Sequence, residues 1–208
     1  MKTALVFFAL AAFGYGSPTP RKLFHEHFDD FMAIIIEEVG DEVQHITEHY
    51  MEFDDFLVSL DYLQTQNFKD LVNEMEHLPE FIAVVDFLEN DNIDIHYFLD
   101  LFHETLDGVG DRKKRSQRHT ISGTDFNSYI RDIIDLFPKD KLAALYDEKM
   151  EGDEEFKTAM ENLYSDEWHA TFNALVESEI FQKEVDTLAE KGIDFHLVIA
   201  EILAVFGQ

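Results

Sequence analysis

Residues 53–63 read FDDFLVSLDYL, and residues 153–163 read DEEFKTAMENL. A shift of 100 residues places Phe56 on Phe156 and keeps the large apolar positions of the two stretches in register. The same shift matches Leu63 with Leu163, Phe68 with Trp168, Phe81 with Phe181, and residues 93–96 (IDIH) with residues 193–196 (IDFH). A repeat of this length indicates one multi-helix unit used twice rather than a solenoid of small modules. Most matched positions are apolar, and few polar groups recur at equivalent places. The repeat therefore indicates a duplicated apolar interior rather than a duplicated catalytic site.

Apolar residues recur at helical spacing through most of the chain. In the first stretch they stand at positions 53, 56, 57, 60 and 63, opposite acidic or amide residues, which is typical of an amphipathic helix. We predict an all-α fold with about six short helices per half, at residues 22–38, 42–50, 52–64, 67–77, 79–89 and 93–104, and at residues 125–136, 139–149, 154–164, 167–177, 180–190 and 193–206. The last helix of each half is apolar on more than one side, so we expect both to be buried where the halves meet.

The first 16 residues have the features of a secretory signal peptide. A basic start at Lys2 precedes an apolar run and small residues, which predicts cleavage after Gly16. That run is too short to span a bilayer, so we predict a soluble, secreted protein that begins near Ser17. The chain has no cysteine, so its stability must come from packing or from a ligand rather than from disulfides.

The charge is strongly acidic and unevenly distributed. The chain has 44 acidic and 16 basic side chains, for a formal net charge of −28, and five of the basic residues lie between residues 112 and 118. We predict a basic linker at residues 108–123 between a first repeat at 17–107 and a second at 124–208. Cleavage after Arg115 by a processing protease is one interpretation of the RKKR stretch, and a solvated connector is the other. The remaining acidic surface disfavours binding to nucleic acid and to anionic membranes.

The order of short motifs in the half-repeat resembles that of the insect allergen-related repeat family. The motifs are DDFLxxLxxL at 54–63, FxxLV at 68–72, LPEF at 78–81, IDIH at 93–96 and DF at 125–126. That family includes the group 1 cockroach allergens, mosquito midgut proteins induced by feeding, and the nitrile-specifier proteins of butterfly larvae, and the mosquito members look most similar. The resemblance implies two repeats packed as one capsule around a large apolar cavity that carries fatty acids and phospholipids in the insect midgut lumen or at its microvillar surface. Residues 178–181 (SEIF) lack the proline found at Pro79, which leaves part of the cavity's shape open.

Under that resemblance the apolar stripe residues are candidates to bind lipid, with ordinary core packing as the alternative for each. They are Phe56, Leu60, Phe68, Val72, Phe81, Val85, Leu88, Phe102, Phe126, Ile130, Ile133, Ile134, Phe156, Met160, Trp168, Phe172, Phe181, Val185, Leu188 and Ile202. Arg131 lies off the stripe of its helix, so we find no basic anchor for a head group and expect chain volume to set selectivity. An empty cavity costs on the order of 20 cal/mol per Å3, so a hollow protein is expected to need its lipid. Exchange of that lipid with membranes motivates a further hypothesis of haemolytic or antiviral membrane disruption.

The sequence features that suggest catalysis or metal binding all contain histidines. The string formed by His45, Glu48 and His49 matches the HxxEH motif of inverted zinc peptidases, but a polar helix face is the alternative, and the comparable region of the second half has no histidine. For His96 and His196 we expect helix-start capping and packing between the halves rather than a metal or pH-sensitive pair. We therefore expect no enzymatic activity, no metal, no cofactor other than bound lipid, and no obligate protein partner. A structural gut-surface protein with a solid core remains the alternative function, and nitrile-specifier activity would rest on the family alone.

Overall fold

The computed structural model describes residues 22–108 and 121–207, and these residues form helices joined by short turns. The eleven helices in these ranges are α1 Phe24–Tyr50, α2 Asp54–Leu63, α3 Gln66–Glu76, α4 Pro79–Asn90, α5 Ile95–Gly108, α6 Phe126–Leu136, α7 Lys139–Gly152, α8 Glu154–Asn162, α9 Asp166–Glu177, α10 Glu179–Glu190 and α11 Phe195–Val205. The predicted all-α class is confirmed. The predicted cleavage sites at Gly16 and Arg115 lie outside the described residues.

The first helix differs from the prediction, which placed a break between residues 38 and 42. α1 continues through Gly40, because a single glycine costs a helix only about 1 kcal/mol relative to alanine. Packing on both sides of that glycine holds the helix, since Ile35 and Val43 are each 1% exposed. The second half does break at the corresponding place, where Pro138 precedes α7, because proline lacks the amide hydrogen that a continuous helix needs.

Matching residues begin matching helices in the two halves. The side chain of Thr65 accepts a hydrogen bond from the amide of Phe68 at 3.2 Å, and that of Ser165 accepts one from the amide of Trp168 at 3.1 Å. These N-caps satisfy amides that the first helical turn leaves without partners. The repeat seen in the sequence therefore extends to the local geometry of α3 and α9.

The two repeats interlock rather than forming two separate lobes. α4 of the first repeat packs on α9 of the second, and α10 of the second packs on α3 of the first. The first helices of the two repeats, α1 and α6, also pack on each other, and α2 and α11 both pack on α6. The buried apolar residues form a cluster drawn from both repeats, so the halves share a core.

The last helices are less buried than predicted. None of the described side chains of α5, at residues 95–104, is fully buried. In α11, Ala204 and Val205 are 4% and 0% exposed, whereas Ile202 and Leu203 are 43% and 51% exposed. The central position belongs to α1 and α6 instead, because only one face of α11 is covered by α6, α10 and α1. None of the helices in the described ranges combines the length and the apolar character that a membrane span requires.

Candidate functional site

Two aromatic stacks join the repeats at the centre of the core. The rings of Phe24 and Phe156 stack with centroids 5.9 Å apart and planes 12° from parallel. The rings of Phe126 and Phe56 stack almost identically, at 6.0 Å and 14°. Because Phe56 and Phe156 are repeat partners, the second pair identifies Phe24 and Phe126 as partners too. The repeat shift in the first helix is therefore 102 residues rather than 100.

A polar contact follows the same symmetry. The backbone amide of His25 donates to Oδ1 of Asp94 at 3.0 Å, and the His25 ring also contacts the Asp94 carboxylate. In the second repeat Oδ1 of Asn127 accepts a hydrogen bond from the amide of Asp194 at 2.9 Å. Each contact ties the first helix of a repeat to the start of its last helix.

Beside the two stacks, equivalent positions of the two repeats carry different side chains. The ring of His27 lies 5.0 Å from that of Phe156, and the ring of Tyr129 lies 5.0 Å from that of Phe56. The two residues therefore occupy equivalent places, and both are buried, at 5% and 0% exposure. Half of the centre is thus built around an imidazole and the other half around a phenol.

The partners of these two rings differ in the same way. Lys149 Nζ lies 3.1 Å from His27 Nδ1 and 2.5 Å from Asp30 Oδ2. In the other half the Tyr50 hydroxyl donates to Oδ2 of Asp132 at 2.5 Å. An ammonium–carboxylate pair on one side therefore corresponds to a hydroxyl–carboxylate pair on the other.

Burial and charge set the protonation of the histidine cluster. Burial, together with the neighbouring Lys149 ammonium, lowers the pKa of His27 below its ordinary value. Burial opposes ionisation of Asp30, but its hydrogen bonds from Lys149 and Lys22 hold the pKa of that carboxyl below the ordinary range. Backbone amides, chiefly that of Phe156, likewise lower the pKa of Asp153, whose Oδ2 lies 3.3 Å from His27 Nε2. The cluster joins α1, α7 and α8 as a neutral imidazole among paired charges.

A small cavity of about 160 Å3 lies beside His27. Its walls mix charged and apolar groups, among them Lys22, Phe24, Asp94 and Phe156. Sites for small organic ligands usually enclose about 300 Å3 or more. This cavity therefore does not match the large apolar cavity that the family resemblance implies.

The structure divides the twenty candidate lipid-binding residues into three groups. Those that are fully buried are Phe56, Leu60, Phe68, Val72, Val85, Phe126, Ile130, Ile133, Phe156, Met160, Phe181 and Leu188. Those that are half-buried are Phe81, Leu88, Phe102, Ile134, Trp168, Phe172 and Val185. Ile202 stands apart at 43% exposure.

Further half-buried apolar residues lie close to the second group along the chain. We call the following set the half-buried apolar layer: Phe81, Phe87, Leu88, Phe98, Leu99, Leu101, Phe102, Trp168, Phe172, Val176, Val185, Phe195, Leu197, Val198 and Ile199. All of them belong to α4, α5, α9, α10 or α11. At the contact between α4 and α9 the ring of Trp168 lies 5.2 Å from that of Phe87 and stacks on Phe172 at 5.5 Å. The layer is thus formed by helices of both repeats.

Glu201 is a buried carboxyl that the sequence reasoning missed. It lies on the covered face of α11 and is 9% exposed. Burial raises its pKa to about 8, so the carboxyl is mostly protonated at neutral pH. One sequence signal was available, because Glu201 is the only acidic residue between positions 195 and 206 of an otherwise apolar helix.

The HxxEH string does not assemble a metal centre among the described residues. His45 is exposed, Glu48 Oε1 accepts a hydrogen bond from Gln44 at 3.1 Å, and the His49 ring packs near Phe53 at 5.4 Å. Within residues 22–108 and 121–207, no three His, Cys, Asp or Glu side chains are placed to hold a metal ion together.

The paired histidines at the starts of the last helices are exposed. The amide of His196 donates to Asp194 Oδ1 at 2.9 Å, as expected for a helix-start cap. The amide of His96 instead donates to Glu89 Oε1 at 2.9 Å, because Asp94 is engaged by His25. The prediction of capping is confirmed for the second repeat, whereas the expected packing of both imidazoles between the halves is wrong.

Comparison with known proteins agrees with this architecture. A family described as insect allergen related repeat, nitrile-specifier detoxification, matches residues 23–199. The chain belongs to the insect allergen-related repeat family. Protein G12 of the mosquito Anopheles gambiae is 23% identical to it over 195 residues, which cover 92% of this chain and 90% of that protein. The resemblance to this family, and to its mosquito members, is therefore confirmed, and the interlocked repeats described above are those of a family member.

Proposed function

We propose that this protein is a secreted, non-enzymatic carrier of fatty acids and phospholipids in the insect gut. The observation that supports this proposal is the half-buried apolar layer. Tightly packed cores bury large apolar side chains almost completely, as the central residues Phe31, Phe56 and Phe156 are, at 0%, 0% and 2% exposure. Most residues of the layer pack against this core but keep part of their apolar surface accessible, and accessible apolar surface can bind an apolar ligand.

The proposal assigns separate tasks to the two sets of apolar residues. The central cluster around α1 and α6 stabilises the fold, and the layer on α4, α5, α9, α10 and α11 lines the space for acyl chains. Each methylene that leaves water contributes about 0.8 kcal/mol, so an acyl chain with about ten covered methylenes gains about 8 kcal/mol before the entropic cost of binding. In a chain without cysteine, that gain would be a large part of the net stability.

The test uses the single tryptophan of the chain, because Trp168 lies in the layer. The purified protein is analysed for lipid by extraction and mass spectrometry, delipidated, and titrated with oleic acid while the emission of Trp168 and the melting temperature are followed. We expect stoichiometric acyl lipid at purification. Delipidation should change the emission of Trp168 and lower the melting temperature, and oleic acid should restore both. A protein that has no bound lipid, and loses no stability on extraction, would instead favour the alternative of a solid-core structural protein of the gut surface.

A matched pair of variants locates the binding surface. Phe172→Ser removes a half-buried ring of the layer, and Ile180→Ser removes an apolar side chain that is 43% exposed on the outside of α10. We expect the first variant to retain less lipid by mass spectrometry and the second to retain the same amount as the unmodified protein. Equal retention by both variants would contradict a site in the layer.

Transient contact with membranes is part of the same proposal. The adjacent residues Ile202 and Leu203 expose apolar side chains on α11, and exposed apolar side chains can enter the boundary of a bilayer. The net charge of −28 disfavours anionic surfaces, so we expect dye release from phosphatidylcholine vesicles and lysis of red cells, with weaker effects on vesicles rich in phosphatidylserine. Release that is unchanged in Ile202→Ser/Leu203→Ser would show that this surface is not the one that contacts the membrane.

A further inference from the structure

Glu201 lies in an apolar setting without a partner of its own. Leu197 and Val198 precede it by one turn of α11, and Ala204 and Val205 follow it on the same covered face. No hydrogen bond or ion pair joins its carboxyl to another side chain of the described ranges, and burial is the cause of its raised pKa. Its oxygens are not among the fully enclosed side-chain atoms that lack a hydrogen-bond partner, which in the described ranges are His49 Nδ1 and Asp91 Oδ2. A small polar group can therefore reach this carboxyl, although the side chain as a whole is only 9% exposed.

The neighbouring titratable groups do not supply that partner. α11 packs on α6, α1 and α10, and among their residues Tyr129 of α6 interacts electrostatically with Glu201. The hydroxyl of Thr47 donates to the carbonyl of Val43 at 2.7 Å, so the Tyr129 hydroxyl, 3.2 Å from Thr47 Oγ1, is the donor in that pair. Tyr50 of α1 donates to Asp132. The protons of both tyrosines are therefore already engaged.

The chemistry of the carboxyl defines what it can bind. In its neutral form it offers one O–H donor and a carbonyl acceptor. Such a group pairs with the carbonyl of an ester or with the carboxyl of a fatty acid. A quaternary ammonium head would require the ionised form, which burial disfavours.

Of the two repeats, the second alone has a carboxyl at this position. The shift of 100 residues places Leu101 at the position of Glu201, and both lie on the last helix of their repeat. Their near neighbours Phe98, Phe102, Leu197 and Val198 all belong to the half-buried apolar layer. The position beside the layer is therefore apolar in the first repeat and carries a carboxyl in the second.

We infer, on the basis of the proposed carrier function, that Glu201 binds the polar head of an acyl lipid by hydrogen bonding to its carbonyl or carboxyl oxygen. The acyl chain then lies along the half-buried apolar layer, and the lipid has one orientation in the protein. Selectivity at this point is for an uncharged, oxygen-bearing head, in addition to selectivity by chain volume.

The test compares lipids that differ only in their heads. The delipidated protein is titrated with oleic acid, methyl oleate and an octadecene, which has the same chain length and no oxygen, and the emission of Trp168 reports binding. Glu201→Leu installs the residue of the first repeat, Glu201→Gln keeps a donor and an acceptor, and Glu190→Leu is the control at an exposed glutamate. We expect Glu201→Leu to bind oleic acid and methyl oleate about tenfold more weakly than the unmodified protein does, which is the equivalent of one hydrogen bond. Its affinity for octadecene should be unchanged. Glu201→Gln should stay within about threefold of the unmodified protein for each of the three compounds.

The other outcomes separate this inference from the carrier function. If Glu201→Leu binds oleic acid as tightly as the unmodified protein, Glu201 is not the head contact and the carrier function stands. If the affinity of the variant for octadecene falls as much as its affinity for oleic acid, Glu201 shapes the site instead of binding the lipid head. An unmodified protein that binds none of the three compounds overturns both the inference and the carrier function.

Discussion

The buried carboxyl of Glu201 predicts an unusual dependence of stability on pH. Burial raises its pKa from 4.5 to about 8. Between these values the native state holds a proton that the unfolded state has released, so the free energy of unfolding falls as the pH rises. Relative to acidic solution, the loss is about 1 kcal/mol at pH 5 and about 3 kcal/mol at pH 7, and it levels off at about 5 kcal/mol above pH 8.

Glu201→Gln removes this titration and keeps the shape of the side chain. We expect the variant to gain about 2 kcal/mol relative to the unmodified protein between pH 5 and pH 7. The measurement is urea denaturation of both lipid-free proteins at a series of pH values. Because His27, Asp30 and the other titrating groups are common to both proteins, their contributions cancel in the difference. Glu190→Gln, at an exposed carboxyl, is the control and should follow the unmodified protein.

Parallel stability curves for Glu201→Gln and the unmodified protein would refute the reasoning. They would mean that burial does not shift the titration of Glu201 in solution, and the inference that a neutral carboxyl contacts the lipid head would lose its basis. A bound acyl lipid adds a second readout. If its head accepts the proton of Glu201 in a hydrogen bond, lipid should stabilise the unmodified protein more at pH 6 than at pH 9, and should stabilise Glu201→Gln equally at both.

The packed centre, the histidine cluster and one turn give further predictions. Phe156→Ala removes a ring that is 2% exposed and should cost about 3–5 kcal/mol of stability by urea denaturation, whereas Tyr164→Ala, at 66% exposure, should cost less than about 0.5 kcal/mol. Burial lowers the pKa of His27 below 6.5, so the contribution of His27 to native stability falls as the pH drops below that value; the stability of His27→Gln relative to the unmodified protein should therefore rise from pH 7 down to pH 5, and a constant difference would contradict the burial of a neutral imidazole. Gly192 has a φ of +77°, and an added Cβ would lie 2.9 Å from Ser59 Oγ; Gly192→Ala should therefore lower the melting temperature, with a loss of at least about 1 kcal/mol.

Local patterns in the sequence were enough to predict the helices, because the apolar spacing and the capping residues act within one or two turns. The N-caps at Thr65 and Ser165 are examples of such local signals. The error in the first helix has a related cause. Gly40 and Pro138 both look like helix breaks in the sequence, but only proline removes a hydrogen-bond donor, and packing on both sides of Gly40 compensates for the weaker propensity of glycine.

The candidate site was harder to predict than the fold. The stripe residues were found, but periodicity does not tell a fully buried Phe56 from a half-buried Phe172, because both patterns satisfy the same helical spacing. Glu201 was missed because a lone acidic residue in a helix is usually solvated. His27 and Lys149 were missed because they lie 122 residues apart in the sequence and meet only through the packing of α1 and α7.

By itself the sequence determined the helical class, the duplication and the acidic charge, since each of these follows from composition or from spacing along the chain, and the order of its short motifs carried the resemblance to the family. Only the tertiary structure decided which faces of the helices are covered. α11 shows why: it is apolar almost all round, so its own sequence does not choose an inward face, and the contacts with α6, α10 and α1 make that choice. Those contacts turn Glu201 inward and leave Ile202 exposed, because burial depends on which helices from distant parts of the chain pack together.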